Sequence, residues 1–326
     1  MAKEALRIDM DVAADRLVWE ELSEFTGGGD NGKDQDKTSV SLPPLEGLIR
    51  LKTGSFAVGT FYWNPFQVSA ELTQSGINGE VQDSVVCGIR TAGRFSAQKN
   101  GEINLDMRLS VRDGELESTS RCLSGEKSHI SGAYSLNARL AGSGKREQLA
   151  RTLSGEFDFV ARDGQFVRSG GVDATFDYLN RTGDFNVAFP DLNNEAMPYR
   201  LISAKGRVAG QSIFAEELII EATPYAITAQ ANADFERKSI EAKGLVTVLL
   251  PADKIIKNIP LVGSIMSGSI VGIPVEVTGT FEQPKVSYLS PAALGAEIVN
   301  IPLRILRLPL GALQIFTPDQ PGLEKR

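Results

Sequence analysis

Between residues 103 and 112 the chain alternates strictly: Ile103, Leu105, Met107, Leu109 and Val111 against Asn104, Asp106, Arg108, Ser110 and Arg112. A period of two with one apolar side predicts a half-exposed β-strand. The pattern recurs at Tyr134, Leu136, Ala138 and Leu140, at Tyr225 through Phe235, and at Val271 through Phe281. Asp113-Gly114, Asp163-Gly164 and the glycines at 47, 54, 59, 132, 206, 210 and 244 read as turns between such runs. The fold class predicted is mainly β, a long antiparallel meander.

Helical periodicity is sparse. It occurs at Val172, Phe176 and Leu179, and at Ile255, Ile259, Val262 and Met266, where Pro260 divides the pattern. After Ser290-Pro291, a cap and first-turn pair, Leu294, Ile298, Ile301, Ile305 and Leu308 form an amphipathic C-terminal stripe. That stripe suits a membrane interface, the open end of a sheet, or a helix that covers a core. Thr26 to Ser39 has glycines and charges without an apolar residue and reads as a flexible loop after one or two N-terminal strands.

Many strands with one apolar side and few helices leave a surface to be covered. The sheet can pack on itself as a sandwich, close as a barrel, or curl so that its apolar face lines a groove for an apolar ligand. The third arrangement carries a function directly.

Composition narrows the chemistry. A net charge of -7 with scattered basic residues provides no stripe for a phosphate backbone, so nucleic acid is not an expected partner. One histidine, His129, and two cysteines, Cys87 and Cys122, supply neither a zinc set nor a nucleophile with its base, and no cofactor, metal or enzymatic activity is expected. The cysteine spacing is compatible with a disulfide or with two separate buried thiols. No apolar run reaches the ~20 residues that span a bilayer.

Other motifs fail on inspection. Ala141-Gly142-Ser143-Gly144-Lys145-Arg146 lacks the first glycine and the Ser or Thr of a phosphate-binding loop, and predicts a turn into a short helix. The carboxylate pairs Glu216 with Glu217 and Asp184 with Asp191 suit the wet side of strands better than a glycosidase cleft. His129 reads as a strand entry. The sequon Asn180-Arg181-Thr182 carries no weight by itself.

Several segments share an order with a known family. Leu153-Ser154-Gly155-Glu156-Phe157, Asp163-Gly164 with Phe166, the segment Val172 to Leu179, and Ile259-Pro260-Leu261-Val262-Gly263 through Val277-Thr278-Gly279-Thr280 to Pro284-Lys285-Val286 resemble the AsmA-like C-terminal region of Gram-negative envelope proteins. Val86-Cys87-Gly88-Ile89, Arg121-Cys122-Leu123 and Ile130-Ser131-Gly132 resemble its upstream part. The resemblance implies three regions: residues 1–45, N-terminal strands and loop 26–39; residues 46–145, sheet continuing a groove; and residues 146–326, the AsmA-like region. It further implies a long, curled β-sheet whose hydrophobic groove carries phospholipid between inner and outer membranes in the periplasm, membrane-associated but with no anchor in this chain.

The lining residues expected on that basis are Leu105, Met107, Leu109, Leu136, Phe157, Phe159, Tyr225, Ile227, Val246, Val248, Val275 and Val277. The same resemblance makes Cys87 and Cys122 a disulfide, as befits an oxidising compartment. At ~4.8 Å per strand, about twenty strands would reach about 100 Å, and this chain is expected to line much of such a path. The alternative function is a scaffold or assembly factor in outer-membrane biogenesis, with envelope proteins docking at a sheet edge or the C-terminal helix.

Overall fold

The alternating segments form one sheet. A computed structural model describes residues 6–21, 45–166, 174–175, 177–178, 181, 196–222, 225–249, 270–290 and 293. Its strands are β1 (Leu6–Val18), β2 (Leu45–Val58), β3 (Phe61–Trp63), β4 (Phe66–Leu72), β5 (Gly76–Val86), β6 (Ile89–Gln98), β7 (Glu102–Glu115) and β8 (Ala133–Lys145). They continue with β9 (Ser154–Phe166), β10 (Met197–Ala209), β11 (Ser212–Ala222), β12 (Tyr225–Asp234), β13 (Ser239–Leu249), β14 (Ile270–Thr280) and β15 (Pro284–Tyr288). Two helices, α1 (Leu116–Ser124) and α2 (Leu149–Thr152), sit in the β7–β8 and β8–β9 connections. The sheet has 15 strands and runs unbroken across the expected boundary at residue 145, because β8 pairs with β9.

Sequence neighbours pair antiparallel from β4 onward, as a meander predicts. The N-terminus departs from it: β1 pairs with β2 in parallel, Val12 opposite Leu51, and the alternation that marks a strand does not specify its partner's direction. β3 and β4 occupy one lane beside β2, interrupted at Asn64-Pro65, where proline has no N–H for the ladder. Fourteen lanes at ~4.8 Å extend about 60 Å, shorter than the twenty-strand path considered above.

Several glycines expected in turns lie inside strands instead. Gly59 and Gly210 do turn the chain, with φ of 58° and 62°. Gly47, Gly54, Gly206 and Gly244 are strand residues, and Gly206 stands at a register shift in β10. Asp113 and Asp163 adopt left-handed φ values of 49° and 50° within β7 and β9. Each bends its strand without ending it, as a bulge does.

These bends are two copies of one device. Arg112-Asp113-Gly114-Glu115-Leu116 and Arg162-Asp163-Gly164-Gln165-Phe166 match in pattern. Gly114 is in register with Tyr134, and Gly164 with Tyr199. A Cβ on either glycine would strike the ring or hydroxyl of its tyrosine, so glycine is what lets the phenol lie flat on the strand. The Tyr134 hydroxyl donates to Thr119 Oγ1 (2.9 Å), and Thr119 Oγ1 donates to the Cys87 carbonyl (2.9 Å). Tyr199 donates to the Ser131 carbonyl. Leu116 and Phe166, the last residues of each copy, enter the same core cluster.

Cys87 and Cys122 are joined, with Cα atoms 5.4 Å apart, and so fasten α1 to the β5–β6 turn. Closing a loop of 35 residues contributes about 4 kcal/mol by chain entropy. The turn after β8 leads into α2, whose Leu149 and the following Leu153 lie over Gly142. The expected loop 26–39, the Ile255–Met266 pattern and the C-terminal stripe lie outside the described residues. Of the segment around Val172 to Leu179, residues 174, 175, 177, 178 and 181 are helical.

Candidate functional site: a two-sided sheet with a partly covered apolar face

Register assigns every strand residue to a face. One face is wet and ionic: Arg50 meets Asp11 at 3.1 Å, Arg139 meets Asp106 at 2.7 Å, Lys205 meets Asp158 at 3.5 Å and Lys243 meets Glu276 at 3.8 Å. Arg200 also pairs with Glu221. The hydrogen bonds from Arg139 hold the Asp106 carboxyl below its usual range, and Asp106 in turn raises Arg139. Exposed pairs of this kind add little stability, but they identify the solvent side.

The opposite face is apolar from one end of the sheet to the other. One transverse row starts Val12, Leu51, Val68, Val81, Gly93, Met107 and Leu140. It continues Gly155, Val208, Ile213, Ala233, Ile240, Gly279 and Pro284. Fourteen lanes contribute no polar side chain, and all but Val81 are partly open to solvent.

A second row of the same face runs Tyr134, Ala161, Ile202, Ile220, Ile227, Val246 and Ile273. All but the partly exposed Ile227 are buried, with Ala161 and Val246 at 0% exposure. Part of the cover is the β7–β8 connection, residues 116–132, which lies at this end of the strands, whereas the β6–β7 and β10–β11 turns at the other end are tight. Among the described parts, Leu116 belongs to the core cluster, and Ile130 and Tyr178 pack against it. Burial raises the Tyr134 hydroxyl, and burial together with the Asp163 carboxylate pushes Tyr199 up to about 12.

The twelve expected lining residues divide between these regions. Val246 and Val275 belong to the core cluster, and Leu109, Leu136, Phe159, Tyr225 and Ile227 pack against it. Val277 is buried. Leu105, Met107 and Phe157 lie on the partly open side. Val248 occupies β13, but its side chain is outside the described residues. Sequence reading missed Val208, Ile213 and Ile240 as lining positions, although they obey the same alternation. Leu140 was read in its strand but not assigned to the lining.

The wet face carries a cavity of about 550 Å³ over β10–β14, lined by Arg207, Phe214, Gln230, Asn232, Lys243 and Glu276 among others. Its ions are largely paired, Arg207 with Glu216 at 3.3 Å and Lys243 with Glu276 at 3.8 Å, and Arg207 stacks on Phe214 at 4.0 Å. That lining suits a polar molecule and lies opposite the expected groove.

Chemistry is scarce elsewhere. His129 is exposed, immediately before the Ile130 bridge to Phe166. Glu216 and Glu217 are exposed at a register shift of β11, and Asp184 and Asp191 are outside the described residues. Among the described residues no His, Cys, Asp or Glu group could hold a metal ion, and no helix is long and apolar enough to cross a membrane. Comparisons with protein-family models, with curated proteins and with solved structures find no match to this chain.

Proposed function

We propose that this chain is a lipid-binding and lipid-transfer protein of the Gram-negative periplasm, AsmA-like in kind, which carries phospholipid between inner and outer membranes. Acyl chains lie along the partly open apolar row and head groups remain in water. The observation that carries this reading is the uninterrupted row through Met107 and Ile240, which crosses all fourteen lanes and is partly exposed in all but the Val81 lane. A monomeric soluble protein rarely leaves so extended an apolar surface without a partner.

The energetics suit a mobile cargo. Each buried CH2 contributes ~0.8 kcal/mol, so a diacyl lipid is held without head-group chemistry. Because the row holds only aliphatic side chains, methionine, proline and glycine from lane to lane, movement along it meets no charged barrier. The Cys87–Cys122 bond agrees with an oxidising compartment.

The test is native mass spectrometry with lipid extraction on protein purified from a bacterial envelope in mild detergent. Stoichiometric phospholipid that survives detergent exchange is expected, and Met107→Asp should lose it while keeping the fold. A well-folded chain that is empty in both forms would replace this reading with a scaffold role in outer-membrane biogenesis.

A further inference from the structure

The β2–β3 hairpin has a composition found nowhere else in the chain. From Thr53 to Ala70 eighteen successive residues carry no charge, and five of them are aromatic: Phe56, Phe61, Tyr62, Trp63 and Phe66. Both tryptophans of the protein lie at this corner, because Trp19 follows the end of β1 beside the hairpin. Two contacts bracket Trp19. Val18 is in register with Ala57, and the Gly59 N–H donates to Glu20 Oε1 at 2.7 Å, which lowers the Glu20 carboxyl.

The rings are arranged in two sets. Phe56 stacks on Phe66 with centroids 4.5 Å apart, and Trp63 lies 6.3 Å from both, on the apolar face of the sheet. Around the Gly59-Thr60 turn, Trp19 is 51% exposed, Tyr62 55% and Phe61 37%. Water is a poor environment for this group, whereas the zone where acyl chains meet head groups favours it. Indole and phenol rings present an apolar body and a polar tip there. A hairpin is also able to enter that zone, since its ladder already satisfies most backbone groups internally.

We propose that this hairpin and Trp19 dock the protein on a lipid bilayer at head-group depth. The proposal extends the lipid-transfer reading by naming the element that meets the membrane, and it rests on that reading for its purpose. Leu17, Phe56, Trp63 and Val86 are linked in register on the apolar face, so a docked hairpin offers an acyl chain an apolar path from bilayer to sheet. Glu20 and Glu21 beside Trp19 limit docking to the interface. With no cation from Thr53 to Ala70, attachment should be insensitive to salt and no stronger on anionic than on zwitterionic lipid.

Two tryptophans at one corner make the test specific. The full chain is mixed with phosphatidylcholine vesicles, and flotation and tryptophan emission are recorded together. Trp63→Phe leaves Trp19 as sole reporter, which excludes quenching by lipid held on the sheet. We expect flotation, a blue shift, quenching by lipid labelled near the head group, and a fall of about tenfold or more in partitioning for Phe61→Ser with Tyr62→Ser. Trp19→Ser, outside the strands, serves if that double variant fails to fold. No flotation, flotation without a spectral change, or undiminished flotation of the variants would overturn the proposal. Lipid content by native mass spectrometry on the same samples separates the two readings: a chain that carries lipid but does not float refutes the hairpin alone, and one that floats empty refutes the transfer reading.

Discussion

The row through Val246 and the row through Met107 cross the same face of the same sheet, about six residues or ~20 Å apart along the strands. Apart from Tyr134 both are built of aliphatic and small residues, yet the first is mostly sealed and the second partly open. Strand composition therefore does not decide which part of this face is core. Cover decides it: the β7–β8 connection, with α1 latched by the disulfide and by Tyr134 through Thr119, packs Leu116 and Ile130 onto the sealed end. One region stabilises the fold, and the other stays partly open to solvent.

The sharpest way to break this comparison is to place a carboxylate in each row. Val246→Asp buries a charge with no partner and is expected to cost at least about 4 kcal/mol, most of the stability of a marginal domain. Met107→Asp, with water at hand, should cost under ~1 kcal/mol and abolish lipid retention. Urea denaturation reads both, and similar losses at the two positions would erase the distinction.

The latch comes next. Cys87→Ser with Cys122→Ser is expected to lose about 4 kcal/mol by denaturation under non-reducing conditions, from a loop of 35 residues. Lipid binding at the Met107 row should persist. Equal stability with and without the bond would mean that α1 is held by packing alone.

A smaller effect separates glycines of the two regions. Gly164→Ala drives a methyl group into the Ser131 carbonyl and the Tyr199 hydroxyl, and about 3 kcal/mol should be lost. Gly142→Ala meets mainly the Leu153 side chain at 3.2 Å, which can shift, so its melting curve should move far less.

Alkaline titration gives the smallest change. Tyr199 keeps its proton in the folded state to about 12 but releases it near 10.0 when unfolded. Between those values the unfolded chain binds fewer protons, so stability falls as pH rises, by up to ~2.7 kcal/mol in total. In Tyr199→Phe this part of the pH dependence should vanish, and a wild-type curve flat from pH 10 to 12 would contradict the buried phenol.

Much of the fold was legible because alternation is a local property. β7, β8, β12 and β14 follow from their own residues, and so does the existence of an apolar face. What depends on a partner was not legible. The parallel β1–β2 pairing, the interruption at Asn64-Pro65 and the bulges at Asp113 and Asp163 are set by neighbours, and Asp-Gly has the same local chemistry in a bulge as in a turn. The repeated Arg-Asp-Gly segments were on view in the sequence, but their purpose appears only once Tyr134 and Tyr199 are seen lying on the glycines. For the site, sequence identified the face and not its covered part, which is why Val246 and Met107 were given the same role.

Adjacent residues on opposite faces offer the most direct test of the central claim. A photoreactive phenylalanine analogue is placed at Met107, on the open apolar row, or at Arg108, on the ionic face, and irradiated in the intact bacterial envelope. The account predicts phospholipid adducts at 107 and none at 108. A folded protein with no adduct at 107, or with equal labelling at both, would contradict it.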